Sequence, residues 1–298
     1  MTSPQLEKSD YGEISLKRNP TSPRTLFGLV MSGIAGLFTL AAIVPLFIIL
    51  SYLITKGISS LSASVFTELP PPPLVDGGGF GNAILGTVLM VGIGALISIP
   101  LGIMAAIYLS EFNGGKVAEW IRFATNVLSG VPSIIVGVFA YGVIVLTFKS
   151  YSAWAGGFAL SILMLPIIVR TTDESLKLVP QDVRQASVGI GANQYQTVLQ
   201  VVLPAALPAI ITGITLAIAR AAGETAPLLF TALFTQFWPN WDALLVEPTA
   251  SLAVLVYNFA IVPFKNQQEL AWGAAFILVM LVLFTSILSR WATAKRTY

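Results

Sequence analysis

The sequence predicts an all-α, polytopic membrane protein with six transmembrane helices. Three observations carry that prediction. Of 298 residues, 55% are hydrophobic and only 10% are charged, against ~25% charged in soluble domains, and the mean hydropathy is +0.82. Six charge-free apolar runs approach or exceed the ~20 residues needed to cross a ~30 Å hydrocarbon core. The basic residues between those runs alternate in density from one loop to the next.

The runs fall at roughly 26–53, 82–110, 122–147, 153–170, 205–232 and 269–290, the fourth and sixth near the minimum length. Ahead of the first lie 24 polar residues with Lys8, Lys17, Arg18 and Arg24. The run Leu26–Leu53 has 28 residues, far beyond the ~7–15 apolar residues of a signal peptide, and predicts a retained helix. With the N-terminus inside, the inner side holds those four basic residues plus Lys116, Arg122, Arg170, Lys177, Arg184, Arg290, Lys295 and Arg296. The outer side holds Lys56, Lys149 and Lys265, and Arg220 stays within the membrane. That asymmetry places both termini in the cytoplasm by the positive-inside rule.

Much chemistry is excluded. Without cysteine or histidine there are no disulfides, Cys/His zinc sites, histidine-based triads or histidine-ligated haem. A net charge of +2 gives no footprint for nucleic acid. No G-x-x-x-x-G-K-[ST] pattern occurs; "NGGKV" at 113–117 lacks both its spacing and its hydroxyl. The chain is therefore expected to have no catalytic residue, metal site or cofactor of its own and to be no enzyme by itself.

Two outer loops are long. Residues 54–81 contain "LPPPPLVDGGGFG", a stiff polyproline stretch followed by a flexible glycine run. The loop 233–268 carries Trp238 and Trp241, residues suited to a membrane interface. It also holds "TASLAVLVYNFAIV", 14 residues between Pro248 and Pro263, too short to span and so an interfacial or re-entrant helix.

The inner loop 179–208, "VPQDVRQASVGIGANQYQTVLQVVLPAALP", is the most informative segment. Pro180 and Asp182 mark a helix start, and Val183, Ala186 and Ile190 share one face. Gly191 supplies a break where positive φ is cheap. A second short helix follows from Asn193 to Val202, with Pro204 and Pro208 opening the fifth span. The result is a helix–turn–helix on the cytoplasmic surface.

This segment resembles the "EAA" loop of ABC-importer permeases, E-A-A-x-x-x-G, nine residues, then I-x-L-P. The chain reads Gln185-Ala186-Ser187, three residues, Gly191, nine residues, then Val201-Val202-Leu203-Pro204. The spacing matches throughout; the departures are Gln for the leading Glu, Ser for the second Ala and Val for Ile. "IYLSEF" (107–112), "SGVPSIIVGVFAYG" (129–142) and "IARAAGETAPLL" (218–229) are similar to the permease pair of phosphate ABC importers, with "GETAPLLFTA" resembling the PstA-type member. Sulfate and molybdate permeases typically carry "GEF" there.

The resemblance implies a type I ABC-importer permease architecture in a bacterial cytoplasmic membrane. It implies a tail at 1–24, a permease domain at 25–292 and a tail at 293–298. The coupling loop would be 179–204, meeting an ATP-hydrolysing subunit through Arg184, Gln185, Ala186, Ser187, Gly191, Ala192, Tyr195, Leu203 and Pro204. The implied partners are a second permease subunit in a heterodimer, two copies of the ATPase, which would hold ATP and Mg, and an extracytoplasmic phosphate-binding protein. Membrane lipid surrounds the whole.

Arg220 and Glu224 lie four residues apart inside an apolar run, where a lipid-facing charge costs roughly 2.5–3.5 kcal/mol on insertion scales. One reading makes them a self-neutralising i,i+4 ion pair. The favoured reading puts Arg220, Gly223, Glu224 and Thr225 on a substrate pathway, as intramembrane ionisable residues generally are. Counted from Pro204, Arg220 lies about 24 Å along a helix, past the midplane. Its planar fork matches phosphate oxygens, while Glu224 keeps the net charge near zero so that the anion can leave. Pro227 is expected to kink this helix.

Weaker features complete the reading. Gly130 and Pro132 mark a kink. Ser133, Thr225 and Thr231 have hydroxyls that line a pathway or bond their own helix, and Tyr141 and Asn82 stay open. Gly86, Gly92 and Gly94 suggest close helix packing. A self-sufficient secondary anion transporter would leave the inner loop's spacing unexplained, and the choice against a permease for another oxyanion or the partner-type phosphate subunit rests on the residues after Gly223.

Overall fold

A computed structural model of the chain describes residues 22–112, 115–243 and 246–294, with side chains to 291. The predicted N-terminal tail, and the C-terminal tail beyond residue 294, therefore lie almost wholly outside the described residues. The described residues are helical, with no strand among them. Their contacts divide the chain into two units, Met1–Tyr52 and Leu53–Tyr298. In the first, the helix α1 (Pro23–Ser59) presents apolar side chains such as Leu37, Phe38 and Phe47 on its surface.

The second unit begins with the end of α1 and a single turn, α2 (Ser64–Thr67). The helices α3 (Gly81–Glu111), α7 (Ala153–Lys177) and α13 (Lys265–Ala294) follow the second, fourth and sixth runs. Five stretches are long and apolar enough to cross a membrane, and a sixth if one bent pair is counted as a span.

That bent pair corrects the third run. It is not one helix over 122–147. It is α4 (Lys116–Gly130) followed by α5 (Ser133–Ala140), a π turn at Tyr141–Val145 and α6 (Leu146–Phe148), with a 107° bend between α4 and the rest. Pro132 sets the break. It lacks an N–H, and it biases Val131 to the extended φ −73°, ψ 128° observed.

The helix α7 is the centre of the second unit. Two-thirds of its apolar window is buried, 67% against 22% for α3. It outruns the predicted 153–170 by seven residues because charge did not stop it. Asp173 is buried, and its Oδ2 accepts from Arg122 Nη1 of α4 at 3.3 Å and Lys177 Nζ at 2.6 Å. Met90 and Val91 of α3 meet Leu160, Met164 and Ile168 of α7 in the main core. A Cβ placed on Gly94 would lie 3.2 Å from the Gly157 carbonyl oxygen, so the two helices touch almost backbone to backbone. Gly92, by contrast, faces open space, and Gly86 meets the backbone of the 249–250 loop rather than a helix.

The loop helix α12 (Leu252–Ala260) is a packed element. Leu252, Leu255 and Phe259 are buried with Phe80, the N-cap of α3, and Leu270 and Ala274 of α13. Asn82 fastens the same region, its Nδ2 donating to the Thr235 and Phe237 carbonyls at 3.1 and 3.2 Å. Its role is structural. Trp238 and Trp241 are exposed.

Candidate functional site

The inner loop folds as two short arms. In the first, α8 (Gln181–Gly189), Pro180 occupies the N-cap and Asp182 the first turn. Gly191 then takes φ +94°, the left-handed conformation that glycine adopts at little cost. The second arm, α9 (Gln194–Thr197), opens with a capping box between Asn193 and Gln196.

This arm does not stop before the fifth span, as the prolines suggested. It runs through a π turn at Val198–Val202 into α10 (Leu203–Ala222), giving one 29-residue helix, Gln194–Ala222. The Leu203 N–H bonds five residues back to the Val198 carbonyl. Such a widened turn accommodates Pro204, which has no N–H and whose ring would collide with the i−4 carbonyl of a regular α-helix.

The loop separates its side chains sharply. Gln185, Ala186, Gly191 and Tyr195 face outward, as do Val183, Val188 and Ile190, the last 89% exposed. An apolar surface of this kind on a polar loop marks an interaction site. Arg184 and Ser187 turn inward. Ser187 is buried with its hydroxyl 3.0 Å from that of Thr197, so the residue replacing the motif's alanine ties the two arms together. Ala192 and Leu203 are half-buried, and Pro204 is exposed.

The other site lies at the far end of the same helix. The run 205–232 is broken: α10 ends at Ala222, Gly223 caps it, and α11 (Ala226–Thr231) restarts after Glu224 and Thr225. The break precedes Pro227, which sits in the first turn of α11. Arg220 is thus in the last turn of a helix, where its charge suits the dipole. Its Nε donates to Glu224 Oε1 at 3.4 Å, while its Nη atoms make no hydrogen bond among the described residues. The arginine side chain is 57% exposed and the glutamate 16%.

A Cβ on Gly223 would meet only the Arg220 carbonyl oxygen, at 3.7 Å, so one side of the break is open. Thr225 is half-buried with no hydrogen bond from its hydroxyl among the described residues, whereas the Thr231 hydroxyl bonds back to the Pro227 carbonyl at 2.8 Å. Tyr141 is half-buried, its ring 6.1 Å from that of Tyr151.

The helices that follow the breaks at Val131–Pro132 and Gly223–Thr225, α5 and α11, pack on each other. A Cβ on Gly137 would fall 2.6 Å from Pro227 Cα, which seats α5 directly on α11. The contact falls five residues after Pro132 on one side and two after Thr225 on the other. No run of the sequence shows that adjacency, since it requires α5 and α11 to pack.

Comparison with known proteins agrees with this architecture. Residues 98–297 match the family model for binding-protein-dependent transport system inner membrane components. The chain is 43% identical over 246 residues to the phosphate transport system permease protein PstA of Yersinia pestis, covering 82% of each chain. It is 43% identical over 272 residues to that of Haemophilus influenzae, covering 91% of this chain and 93% of the relative. A probable PstA of Methanocaldococcus jannaschii is 33% identical over 256 residues, covering 85% and 88%.

Among solved structures, an inward-facing MetNI methionine ABC transporter superposes with a TM-score of 0.58 at 19% identity, over 73% of this chain and 94% of that one. A bacterial alginate ABC transporter gives 0.61 at 12% identity, over 92% and 99%. The fold is that of an ABC-importer permease, and the chain belongs to the inner membrane components of binding-protein-dependent transport systems, among the phosphate transport permeases of PstA type.

Proposed function

We propose that this chain is the transmembrane permease subunit of an ATP-driven importer of inorganic phosphate. It forms half of the translocation pathway and takes its energy from an ATPase that docks on the exposed face of α8. The observation that carries the reading is a single helix with a function at each end. Gln194–Ala222 has 29 residues, about 43 Å at 1.5 Å per residue. It begins in the helix–turn–helix and ends at the Arg220–Glu224 pair.

The chemistry at the pathway end follows from the two side chains. A phosphate oxyanion accepts from the two free Nη groups of Arg220, while Glu224 holds the arginine through Nε. A protonated phosphate oxygen can also donate to the carboxylate, which favours phosphate in either of its protonated forms over an oxyanion with no proton, such as sulfate. Glu224 lowers the net charge of the site, so the anion is bound weakly enough to move on. Arg220, Gly223, Glu224 and Thr225 are the residues assigned to this step.

The second permease, two ATPase copies carrying ATP and Mg, and an extracytoplasmic phosphate-binding protein complete the machine. The loop faces the cytoplasm in this account, with both termini on the same side. The chain itself makes and breaks no covalent bond.

Radiolabelled phosphate and sulfate uptake, in cells lacking this chain and in cells given it back, tests the proposal with the other components intact. Phosphate uptake alone should be lost and restored. Unchanged phosphate uptake would overturn the substrate, and restored sulfate uptake would reassign it.

A further inference from the structure

The stretch "IYLSEF" (107–112) forms the C-terminal end of α3 and its cap, Phe112. It carries the docking site for the loop. Glu111 Oε1 accepts from Arg184 Nη2 at 2.8 Å and Oε2 accepts from Nε at 3.2 Å, a two-pronged pair with side chains only 9% and 15% exposed. The same guanidinium donates from Nη2 to the Leu176 carbonyl at 2.8 Å and from Nη1 to the Val179 carbonyl. It thereby adds a second partner to the Leu176 carbonyl in the last turn of α7, which also accepts from the Val179 N–H at 3.2 Å, and reaches the Val179 carbonyl just past that helix. One arginine on α8 thus grips both α3 and α7.

The second arm is held at the same place. Gln194 Nε2 donates to the Glu111 backbone carbonyl at 2.8 Å, and the Tyr195 ring lies 5.1 Å from that of Phe112. Both arms therefore converge on Glu111 and Phe112. The loop has Gln185 where its motif has a leading acid, and the carboxylate that meets Arg184 comes from α3.

We infer that Glu111 is a positioning residue for coupling: with Arg184 it forms a clamp that makes the loop move as one body with α3 and α7. The inference rests on the proposed permease function. Without the clamp, an ATPase can still seat on the outward face of α8, but displacement of the loop is absorbed at its root. Hydrolysis then runs without driving the helices. A residue that served folding alone would affect assembly, hydrolysis and coupling together.

The test uses the whole complex, both permeases with the ATPase, in proteoliposomes. It measures basal ATP hydrolysis and its stimulation by the binding protein loaded with inorganic phosphate. Glu111→Gln keeps the side chain's shape but leaves the arginine's charge without its buried partner. It should retain the ATPase and basal hydrolysis, while stimulation falls on the order of tenfold. Glu111→Asp should do the same, because its carboxylate, one methylene shorter, no longer reaches both Nε and Nη2 of the arginine. It stands in if Glu111→Gln fails to assemble.

Parent-like stimulation in either assembled variant overturns the clamp, as does loss of basal hydrolysis in proportion. If instead the parent complex is not stimulated by the phosphate-loaded protein, the phosphate reading falls. The clamp is then judged by the same variants with the binding protein loaded with sulfate.

Discussion

At the scale of residues, the proposed pathway end of α10 depends on small side chains as well as on charge. Gly137 and Gly223 look alike in the sequence, each a glycine beside a proline-containing break. Their surroundings differ. A methyl group at Gly137 meets Pro227 Cα at 2.6 Å, whereas at Gly223 it meets nothing closer than 3.7 Å, and φ there is −91°. Gly137→Ala should therefore destabilise the protein by about 1–3 kcal/mol through overpacking. Gly223→Ala should fall within about 0.5 kcal/mol of the parent, as surface changes usually do. Thermal unfolding of the purified complex separates the two. Equal effects would remove the argument that α5 and α11 are seated on each other at that point.

At the scale of elements, the outward face of α8 is the part most open to direct challenge. Ile190 is 89% exposed and makes no core contact, so Ile190→Asp should leave folding unchanged while the ATPase subunit no longer co-purifies. Retention of the ATPase at parent levels would remove α8 from the interface. The helix–turn–helix was readable in the sequence because its signals are local: a proline and an acid at the start, a glycine requiring φ +94°, and a capping asparagine. The bend after Gly130 was readable only as a kink, because its 107° angle depends on α4 packing across α7. The last two turns of α7 were missed altogether. A scan for charge-free runs stops at Arg170, yet Asp173 is buried there by partners on α4 and α7. Glu111 was missed for a related reason: its partner, Arg184, is 73 residues away.

At the scale of the whole molecule, the proposed function requires the loop and the charged pair to respond to each other. The continuous helix Gln194–Ala222 supplies the connection, and the sequence hid it by placing Pro204 and Pro208 where a boundary is expected. The π turn at Val198–Val202 keeps the helix unbroken past the first of these prolines. Arg220, at the far end, is proposed to meet the anion with the Nη groups Glu224 leaves free. Phosphate uptake by cells carrying Arg220→Gln in place of the parent chain tests it most directly, with the ATPase and partner permease confirmed in the membrane. The account predicts uptake reduced by about two orders of magnitude or more, as expected when a charged hydrogen bond to the substrate costs roughly 3 kcal/mol. Uptake at the parent rate from a fully assembled complex would contradict it and leave the Arg220–Glu224 pair as a structural cap on α10.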